Sequence, residues 1–182
     1  MTARGLLLAA GAGSRMGRPK ALVDGWLAHG AATLLDGGCS GVTVVLGAAV
    51  DDALALLPAG PVDHVVAEDW AEGMSASLRV GLSLLSGTDA EAAVVLLVDL
   101  PDVGPPVVSR LLAGGAGHGT LARAAYAGKP GHPVLLGRDH WDGVVATARG
   151  DEGARAYLAA HDVALVECGD LATGEDVDRP LA

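Results

Sequence analysis

Aromatic residues are scarce in this chain of 182 residues, which has no phenylalanine, three tryptophans and two tyrosines. Hydrophobic residues still make up 51% of it, mainly as alanine, valine and leucine. Small side chains of this kind suit close packing of helices on a sheet. Cysteine is also rare, and Cys39 and Cys168 lack the spacing of a metal site, so we expect two buried, reduced thiols.

Basic residues are few: 12 lysines and arginines stand against 22 acidic residues, which gives a net charge of −10. Such a chain lacks the phosphate-neutralising face that nonspecific nucleic-acid binding requires, and anionic membranes would repel it. No hydrophobic run has the length of a membrane span, and no signal-peptide pattern is convincing. We therefore expect a cytoplasmic protein with no nucleic-acid or membrane partner, folded as a single domain over residues 1–182.

Continuous hydrophobic runs of strand length alternate with segments of helical periodicity. The predicted strands are residues 5–10, 42–46, 62–67, 92–98, 120–126, 133–136 and 163–167. The predicted helices are residues 27–35, 50–57, 74–85, 105–112 and 152–160. This alternation predicts an α/β fold with a mostly parallel central sheet between two layers of helices. We expect the acidic segment 171–182 to be partly mobile.

The first strand runs directly into a glycine-rich turn that carries two cations. Its sequence is Leu8-Ala9-Ala10-Gly11-Ala12-Gly13-Ser14-Arg15-Met16-Gly17-Arg18-Pro19-Lys20. Glycines let backbone N–H groups approach a bulky anion, and Arg15 and Lys20 can neutralise several phosphate charges. The pattern therefore indicates a site for a nucleoside triphosphate. A loop that only caps the strand would leave both cations without a role.

Two better-known phosphate loops fit this turn poorly. The dinucleotide fingerprint G-x-G-x-x-G is one residue shorter than the spacing of Gly11, Gly13 and Gly17. No acidic residue ends the second strand, which finishes at Leu46 and Gly47. The Walker pattern is also one residue too short, and it requires a serine or threonine after its lysine. An NAD-binding oxidoreductase is therefore a disfavoured alternative.

Asp99 ends another hydrophobic strand. Ligands of open α/β sheets bind beyond the carboxyl ends of the strands, so the glycine turn and Asp99 should share one site. A carboxylate in this place suits Mg²⁺ bridging to phosphates, and a turn or cap role is the alternative. We interpret Asp102 as the cap of the helix that begins near Pro105. Asp151 and Arg155, four residues apart, are interpreted as a helix-supporting pair.

The glycine-rich turn resembles the signature of the MobA-like nucleotidyltransferases, roughly L-A-A-G-x-x-x-R-M-G-x-x-K, at every fixed position. Its Leu-Ala-Ala-Gly form is similar to the molybdenum cofactor cytidylyltransferase branch, whereas the guanylyltransferase branch typically has Leu-Ala-Gly-Gly. Further matching segments are residues 72–82, 98–101, 131–134, 150–155 and 176–178. The resemblance spans nearly the whole chain and implies a three-layer Rossmann-like fold of the nucleotide-diphospho-sugar transferase type.

The resemblance also implies roles for individual residues. Arg15, Lys20 and Asp99 would be catalytic, and Asp99 and Asp178 would hold the metal, although Arg179 stands where the family has threonine. His132, in a Gly-His-Pro loop, would contact the acceptor. The implied nucleotide-binding residues are Ala9, Ala10, Gly11, Ala12, Gly13, Arg15, Lys20, Gly73 and Ser77.

We thus predict an Mg²⁺-dependent transferase that joins CMP from CTP to the terminal phosphate of a molybdopterin cofactor and releases pyrophosphate. The partners are then CTP, a phosphorylated pterin and, in transient contact, a molybdoenzyme. Transfer from GTP, or to a sugar phosphate, is the alternative within the enzyme class. A catalytically degenerate cofactor carrier is the alternative outside it, because the segment after Lys20 is shorter than the family's usual one.

Overall fold

The computed structural model describes residues 2–179 and contains a seven-stranded sheet in the order β3-β2-β1-β4-β6-β5-β7. The strands are β1 (Ala3–Leu8), β2 (Val42–Leu46), β3 (Val62–Val66), β4 (Ala92–Leu97), β5 (Leu121–Tyr126), β6 (Lys129–Gly137) and β7 (Ala164–Glu167). The α-helices are α1 (Trp26–Asp36), α2 (Val50–Leu54), α3 (Met74–Leu85), α4 (Pro105–Ala113), α5 (Trp141–Thr147) and α6 (Arg155–Ala159). This is the predicted three-layer, Rossmann-like α/β fold.

The sheet is parallel except where β6 runs against its neighbours β4 and β5. The chain builds outward from β1 through β2 to β3 and then returns to place β4 on the other side of β1. This reversal is a topological switch point, where parallel α/β sheets place their ligands. The carboxyl ends of β1 and β4 therefore lie beside each other at one edge of the sheet.

Two hydrophobic cores cover the faces of the sheet. One lies beneath α1 and α4, and the other lies beneath α3 and α5. Glycines allow two of these helices to approach closely: a Cβ on Gly30 of α1 would lie 2.8 Å from Leu7 Cδ1, and one on Gly81 of α3 would lie 2.6 Å from Leu6 Cδ1. Close packing of small residues thus fixes the helices that flank the switch point.

The β5–β6 connection is tighter than predicted. Only Ala127 and Gly128, both with positive φ, separate the strands, and Glu167 accepts hydrogen bonds from both of their backbone N–H groups. Positive φ at both central residues is typical of two-residue hairpins. The predicted Gly-His-Pro loop is therefore wrong, because His132 lies within β6.

The predicted helix over residues 152–160 is also divided. A 3-10 turn, Gly150–Glu152, is followed by Gly153 with a φ of 55°, and α6 begins only at Arg155. The backbone N–H of Gly153 donates to the Ser75 hydroxyl at 3.1 Å, which ties this break to α3.

Helix α5 was not predicted. Helix α2 ends at Leu54, three residues before its predicted end. The predicted acidic segment begins with hydrogen-bonded backbone: Leu171 N donates to Cys168 O, and Val177 N donates to Asp99 O at 2.9 Å. Residues 180–182 of that segment lie outside the described part of the chain.

Cys39 and Cys168 are free, buried thiols, as predicted. No described helix combines the length and the hydrophobicity needed to cross a membrane.

Candidate functional site

A cleft of about 390 Å³ opens at the switch point, between the carboxyl ends of β1 and β4. The residues that line it are Leu8, Ala9, Ala10, Gly11, Ala12, Gly13, Ser14, Arg15, Lys20, Trp70, Ala71, Gly73, Met74, Ser77, Leu97, Val98, Asp99, Asp151 and Asp178. With the exception of His132, all the residues that the sequence predicted for the site are among them. The structure thus brings together segments that are widely separated in the sequence.

The glycine-rich turn forms one wall of the cleft, and its glycines serve different purposes. Gly13 has a φ of 60° and accepts backbone hydrogen bonds from Met16 and Gly17, while a Cβ there would lie 2.0 Å from Arg18 O. Gly13 therefore allows the turn itself. Gly11 is exposed, has no positive φ, and would place a Cβ with no atom of the described chain within 4 Å. Its lack of a side chain leaves space in the cleft.

Lys20 joins the glycine-rich turn to the opposite wall. It lies in a 3-10 turn, Lys20–Leu22, and its Nζ donates to Asp99 Oδ2 and, at 2.6 Å, to Asp178 Oδ1. Arg15 forms an ion pair with the other oxygen of Asp178. The Lys20 and Asp99 side chains are only 17% and 12% exposed, so this charge network is largely shielded from water, whereas Arg15 is 75% exposed.

The network perturbs the ionisation of its members. Burial alone would lower the pKa of Lys20, but hydrogen bonds and charge attraction from Asp178 and Asp99 raise it overall. The hydrogen bond from Lys20, together with the charges of Lys20 and Arg15, holds the pKa of Asp178 below its usual value. At neutral pH the cleft therefore presents a fixed ammonium beside ionised carboxylate.

The carboxylates also provide a set of oxygens that a divalent cation could use. Asp99, Asp176 and Asp178 each offer one oxygen, and these oxygens lie within 4.8 Å of one another. Asp99 Oδ1 is buried and makes no hydrogen bond to the described residues. A buried carboxylate oxygen without a partner costs free energy, which a cation would recover. Oxygen donors of this type match the preference of Mg²⁺ and similar hard cations.

Helix α3 and the turn before it form another wall of the cleft. Ser77 is buried and lines the cleft, yet its hydroxyl makes no hydrogen bond within residues 2–179. Ser75, two positions earlier on α3, instead accepts from Gly153 N. Gly73 has a φ of 111°, and a Cβ there would lie 2.4 Å from Asp151 Oδ1. Because Gly73 has no side chain, the Asp151 carboxylate can lie against it at the wall of the cleft.

Two aspartates act differently from their sequence interpretations. Asp102 does not cap α4, whose N-cap is Gly104; its Oδ2 accepts from the backbone N and the hydroxyl of Thr173, both at 2.6 Å. It thereby anchors the C-terminal segment that carries Asp178. Asp151 makes no ion pair with Arg155, because Gly153 interrupts the helix between them, and its Oδ1 accepts from Met74 N at 3.4 Å.

Several residues in or beside the cleft were missed in the predictions from the sequence. Trp70 and Met74 line the cleft on either side of Gly73 in the sequence, and neither was predicted as a site residue. Asp176 lies two residues from Asp178, a spacing that offered a signal for a shared cation. His132 was predicted to contact an acceptor but does not line the cleft; it lies one strand beyond it.

Comparison with known proteins agrees with this architecture. The family described as the MobA-like NTP transferase domain matches residues 5–165. The nicotine blue oxidoreductase of Paenarthrobacter nicotinovorans is 38% identical over 195 residues, which cover 96% of this chain and 91% of that protein.

Two crystal structures extend the comparison. The Rv0371c homologue from Mycobacterium sp. strain JC1 is 31% identical, with a TM-score of 0.78 over 97% of this chain and 90% of that one. Rv0371c of Mycobacterium tuberculosis H37Rv in complex with manganese is 25% identical, with a TM-score of 0.72 over 92% of this chain and 88% of that one. The family signature, the near-complete coverage and the shared fold lead to one conclusion: this chain belongs to the MobA-like NTP transferase domain family.

Proposed function

We propose that the protein is a cytidylyltransferase that transfers CMP from CTP to the terminal phosphate of a molybdenum-loaded molybdopterin cofactor, with release of pyrophosphate. The observation that carries this proposal is the position of Lys20, which lies at the glycine-rich turn and bonds to both Asp99 and Asp178. A phosphate-binding turn, a shielded ammonium and two carboxylates at a switch point are the groups that phosphoryl chemistry requires.

In this proposal the glycine-rich turn holds the triphosphate. Gly11 leaves space for the phosphates, and backbone N–H groups from Ala10 to Gly13 supply donors. Arg15 and Lys20 neutralise phosphate charge, while Ser77, with its free hydroxyl, bonds the base or ribose. Gly73 and Trp70 bound the side of the cleft where the nucleoside would lie.

The reaction forms a bond between an oxygen of the acceptor phosphate and the α-phosphorus of CTP. The bond from that phosphorus to the bridging oxygen breaks, and pyrophosphate leaves with the electron pair. A phosphate monoester has a second pKa of about 6, so it is largely dianionic at neutral pH and needs no strong general base. Lys20 and Arg15 then act by positioning the substrates and by stabilising the negative charge that develops on pyrophosphate.

Asp99 and Asp178, with Asp176 beside them, would hold a divalent cation, for which we propose Mg²⁺. When bound, the cation supplies positive charge that offsets the charge of the phosphates. Manganese in the structure of the related Rv0371c supports a divalent-cation site in proteins of this fold. The acidic surface, the proposed substrates and the proposed metal are consistent with a cytoplasmic enzyme that meets a molybdoenzyme transiently.

A reductase is a second candidate because a relative that is 38% identical is named for oxidation–reduction of nicotine blue. Two features of the chain oppose binding of a nicotinamide dinucleotide in the usual way. The glycine spacing is one residue too long, and β2 ends at Leu46 without an acidic residue for a ribose. A cofactor carrier without catalytic activity is the remaining alternative.

The experiment is to incubate the protein with Mg²⁺ and molybdenum cofactor and to measure pyrophosphate release from CTP, GTP, ATP and UTP. The proposal predicts release with CTP, whereas release with GTP alone would assign the guanylyl reaction. CTP binding without release would favour the carrier. A parallel assay follows NADH oxidation with nicotine blue, and turnover there without pyrophosphate release would favour the reductase.

A further inference from the structure

The C-terminal segment reaches the cleft without regular secondary structure. Strand β7 ends at Glu167, and residues 172–178 follow as irregular chain. Two carboxylates of this segment, those of Asp176 and Asp178, complete the oxygen set around Asp99. The hydrogen bonds of a helix or strand do not fix their position, so the contacts that the segment makes elsewhere must do so.

Two sets of hydrogen bonds tie this segment to the loop between β4 and α4. Asp102 Oδ2 accepts from the backbone N and the hydroxyl of Thr173, both at 2.6 Å, and Asp99 O accepts from Val177 N at 2.9 Å. Within the described chain, Asp102 is the one side chain outside the segment that hydrogen-bonds to residues 173–177. One loop therefore supplies both a carboxylate of the cleft and the anchor of the chain that brings the other two.

Gly174 allows the segment to pass close beside Tyr126. Its φ is 68°, and a Cβ there would lie 2.1 Å from Tyr126 Cε2. That ring is buried, and its hydroxyl donates to His132 O at 2.7 Å, which holds the ring in place. The path of the chain directly after Thr173 is therefore set by a fixed neighbour, and a side chain at position 174 would displace it.

We propose that Asp102 is a positioning residue for the divalent cation: by holding Thr173, it keeps Asp176 and Asp178 where their oxygens lie beside those of Asp99. The inference rests on the proposed function, in which these three carboxylates hold the cation. Asp102 does not line the cleft, and its effect on the cation passes through the backbone of the C-terminal segment.

The physical reason is the cost of ordering a free chain. Anchors at Thr173 and Val177 leave three residues between them, and a hydrogen bond to a carboxylate is stronger than one between neutral groups. Without the first anchor, more of the segment is free to sample other conformations. Binding of the cation must then also order that chain, which lowers its affinity.

The test measures Mn²⁺ affinity by electron paramagnetic resonance, with neither nucleotide nor acceptor present. Asp102→Ala is the first variant, since Asp102 is exposed and its replacement leaves the core intact. Glu175→Gln is the matched control: it removes an equal charge from the segment itself, and the exposed Glu175 side chain has no partner among the described residues. Thr173→Ser keeps both donors to Asp102, and Gly174→Ala displaces the segment by an independent route.

The proposal predicts Mn²⁺ affinity about three- to tenfold weaker in Asp102→Ala and Gly174→Ala, and unchanged in Glu175→Gln and Thr173→Ser. Amide hydrogen exchange at residues 174–178 should be faster in the first two variants and unchanged in β1 and β4. Equal affinities in Asp102→Ala and Glu175→Gln overturn the proposal, as does weaker binding in Asp102→Ala without faster exchange of the segment. Should β1 and β4 lose protection in Asp102→Ala, Gly174→Ala decides.

A second readout separates positioning from catalysis. In the transferase assay, Asp102→Ala should need about three- to tenfold more Mg²⁺ for its half-maximal rate and regain the wild-type rate at saturating Mg²⁺. A rate that stays low at saturating Mg²⁺ contradicts a positioning role. Absence of Mn²⁺ binding to the wild type would overturn the proposed metal site together with this inference, whereas Mn²⁺ binding that does not depend on Asp102 overturns this inference alone.

Discussion

Lys20 Nζ lies 2.6 Å from Asp178 Oδ1, so residues 158 positions apart meet across the cleft. The same nitrogen donates to Asp99 Oδ2. An ammonium group therefore stands among the oxygens that we propose for a divalent cation. The two positive charges must compete for the same carboxylates, which makes the metal proposal testable without any measurement of catalysis.

We predict that Lys20→Met binds Mn²⁺ about tenfold more tightly than the wild type, because the competing ammonium is gone. Asp99→Asn should bind Mn²⁺ at least tenfold more weakly, since it loses an anionic ligand. Mn²⁺ titration followed by electron paramagnetic resonance measures both affinities. Arg18→Met is the control, because Arg18 lies on the same turn, is exposed and makes no ion pair to the described residues. Equal affinities in all four proteins would contradict the site.

The two glycines of the phosphate turn should respond differently to alanine. Gly13→Ala strains a positive φ and drives a Cβ into Arg18 O, so we expect it to destabilise the protein by about 1–3 kcal/mol. Gly11→Ala meets no atom within 4 Å and should leave the free energy of unfolding within about 0.5 kcal/mol. It should nevertheless weaken CTP binding about tenfold or more, by occupying the space of the phosphates. Urea denaturation and calorimetry separate the two effects, and unchanged CTP affinity in Gly11→Ala would refute the proposed phosphate position.

Two serines of α3 form a second matched pair. Ser77→Ala removes a hydroxyl with no partner among the described residues, so we expect unchanged stability and CTP affinity reduced about three- to tenfold. Ser75→Ala leaves the buried N–H of Gly153 without an acceptor and should cost about 1–3 kcal/mol of stability. Thermal denaturation and CTP titration of both variants measure these outcomes. A loss of stability in Ser77→Ala with full CTP affinity would assign that hydroxyl a structural role.

His132 should make the stability depend on pH. Its pKa falls from 6.5 to about 4 on folding, chiefly because the half-buried ring is desolvated and then because of the positive charge of Arg123. As the pH falls from about 6.5 to 4, the unfolded chain binds a proton on this ring while the folded protein does not. The free energy of unfolding therefore decreases over this range. The loss is at most about 3 kcal/mol. Urea denaturation across this range should show a shallower pH dependence in His132→Gln, and an unchanged slope would show that His132 titrates normally.

The exposed His64 of β3 provides the control for that measurement. It lies at the edge of the sheet, far along the strand order from β6, and is exposed. His64→Gln should therefore keep the pH dependence of the wild type.

The sequence predicted the centre of the fold well because local pattern and tertiary position agree there. The hydrophobic runs of β1, β2 and β4 are buried on both faces, so continuous hydrophobicity was a reliable signal. The glycine turn and Asp99 follow β1 and β4 directly, and the carboxyl ends of parallel strands at a switch point must lie together.

The errors fall where distant segments decide the structure. Asp102 looked like a helix cap, but Thr173, 71 residues away, is its partner. Asp151 and Arg155 have the spacing of a helical pair, and the positive φ of Gly153 separates them. The residues next to Asp102 and Asp151 in the sequence do not indicate these partners. The partner of Asp102 depends on where the C-terminal segment packs, and that of Asp151 depends on where α3 packs.

The central claim is that the cleft moves the α-phosphate of a nucleotide onto an acceptor. The most direct measurement incubates the protein with Mg²⁺, molybdenum cofactor and CTP labelled with ³²P at the α-position, and determines which product carries the label. We predict that the label appears in a cofactor–CMP product together with an equal amount of pyrophosphate, and that Arg18→Met retains this activity while Lys20→Met loses about 100-fold or more. If intact cofactor is present and the label remains in CTP, or appears only as free CMP, the proposed transfer reaction is contradicted.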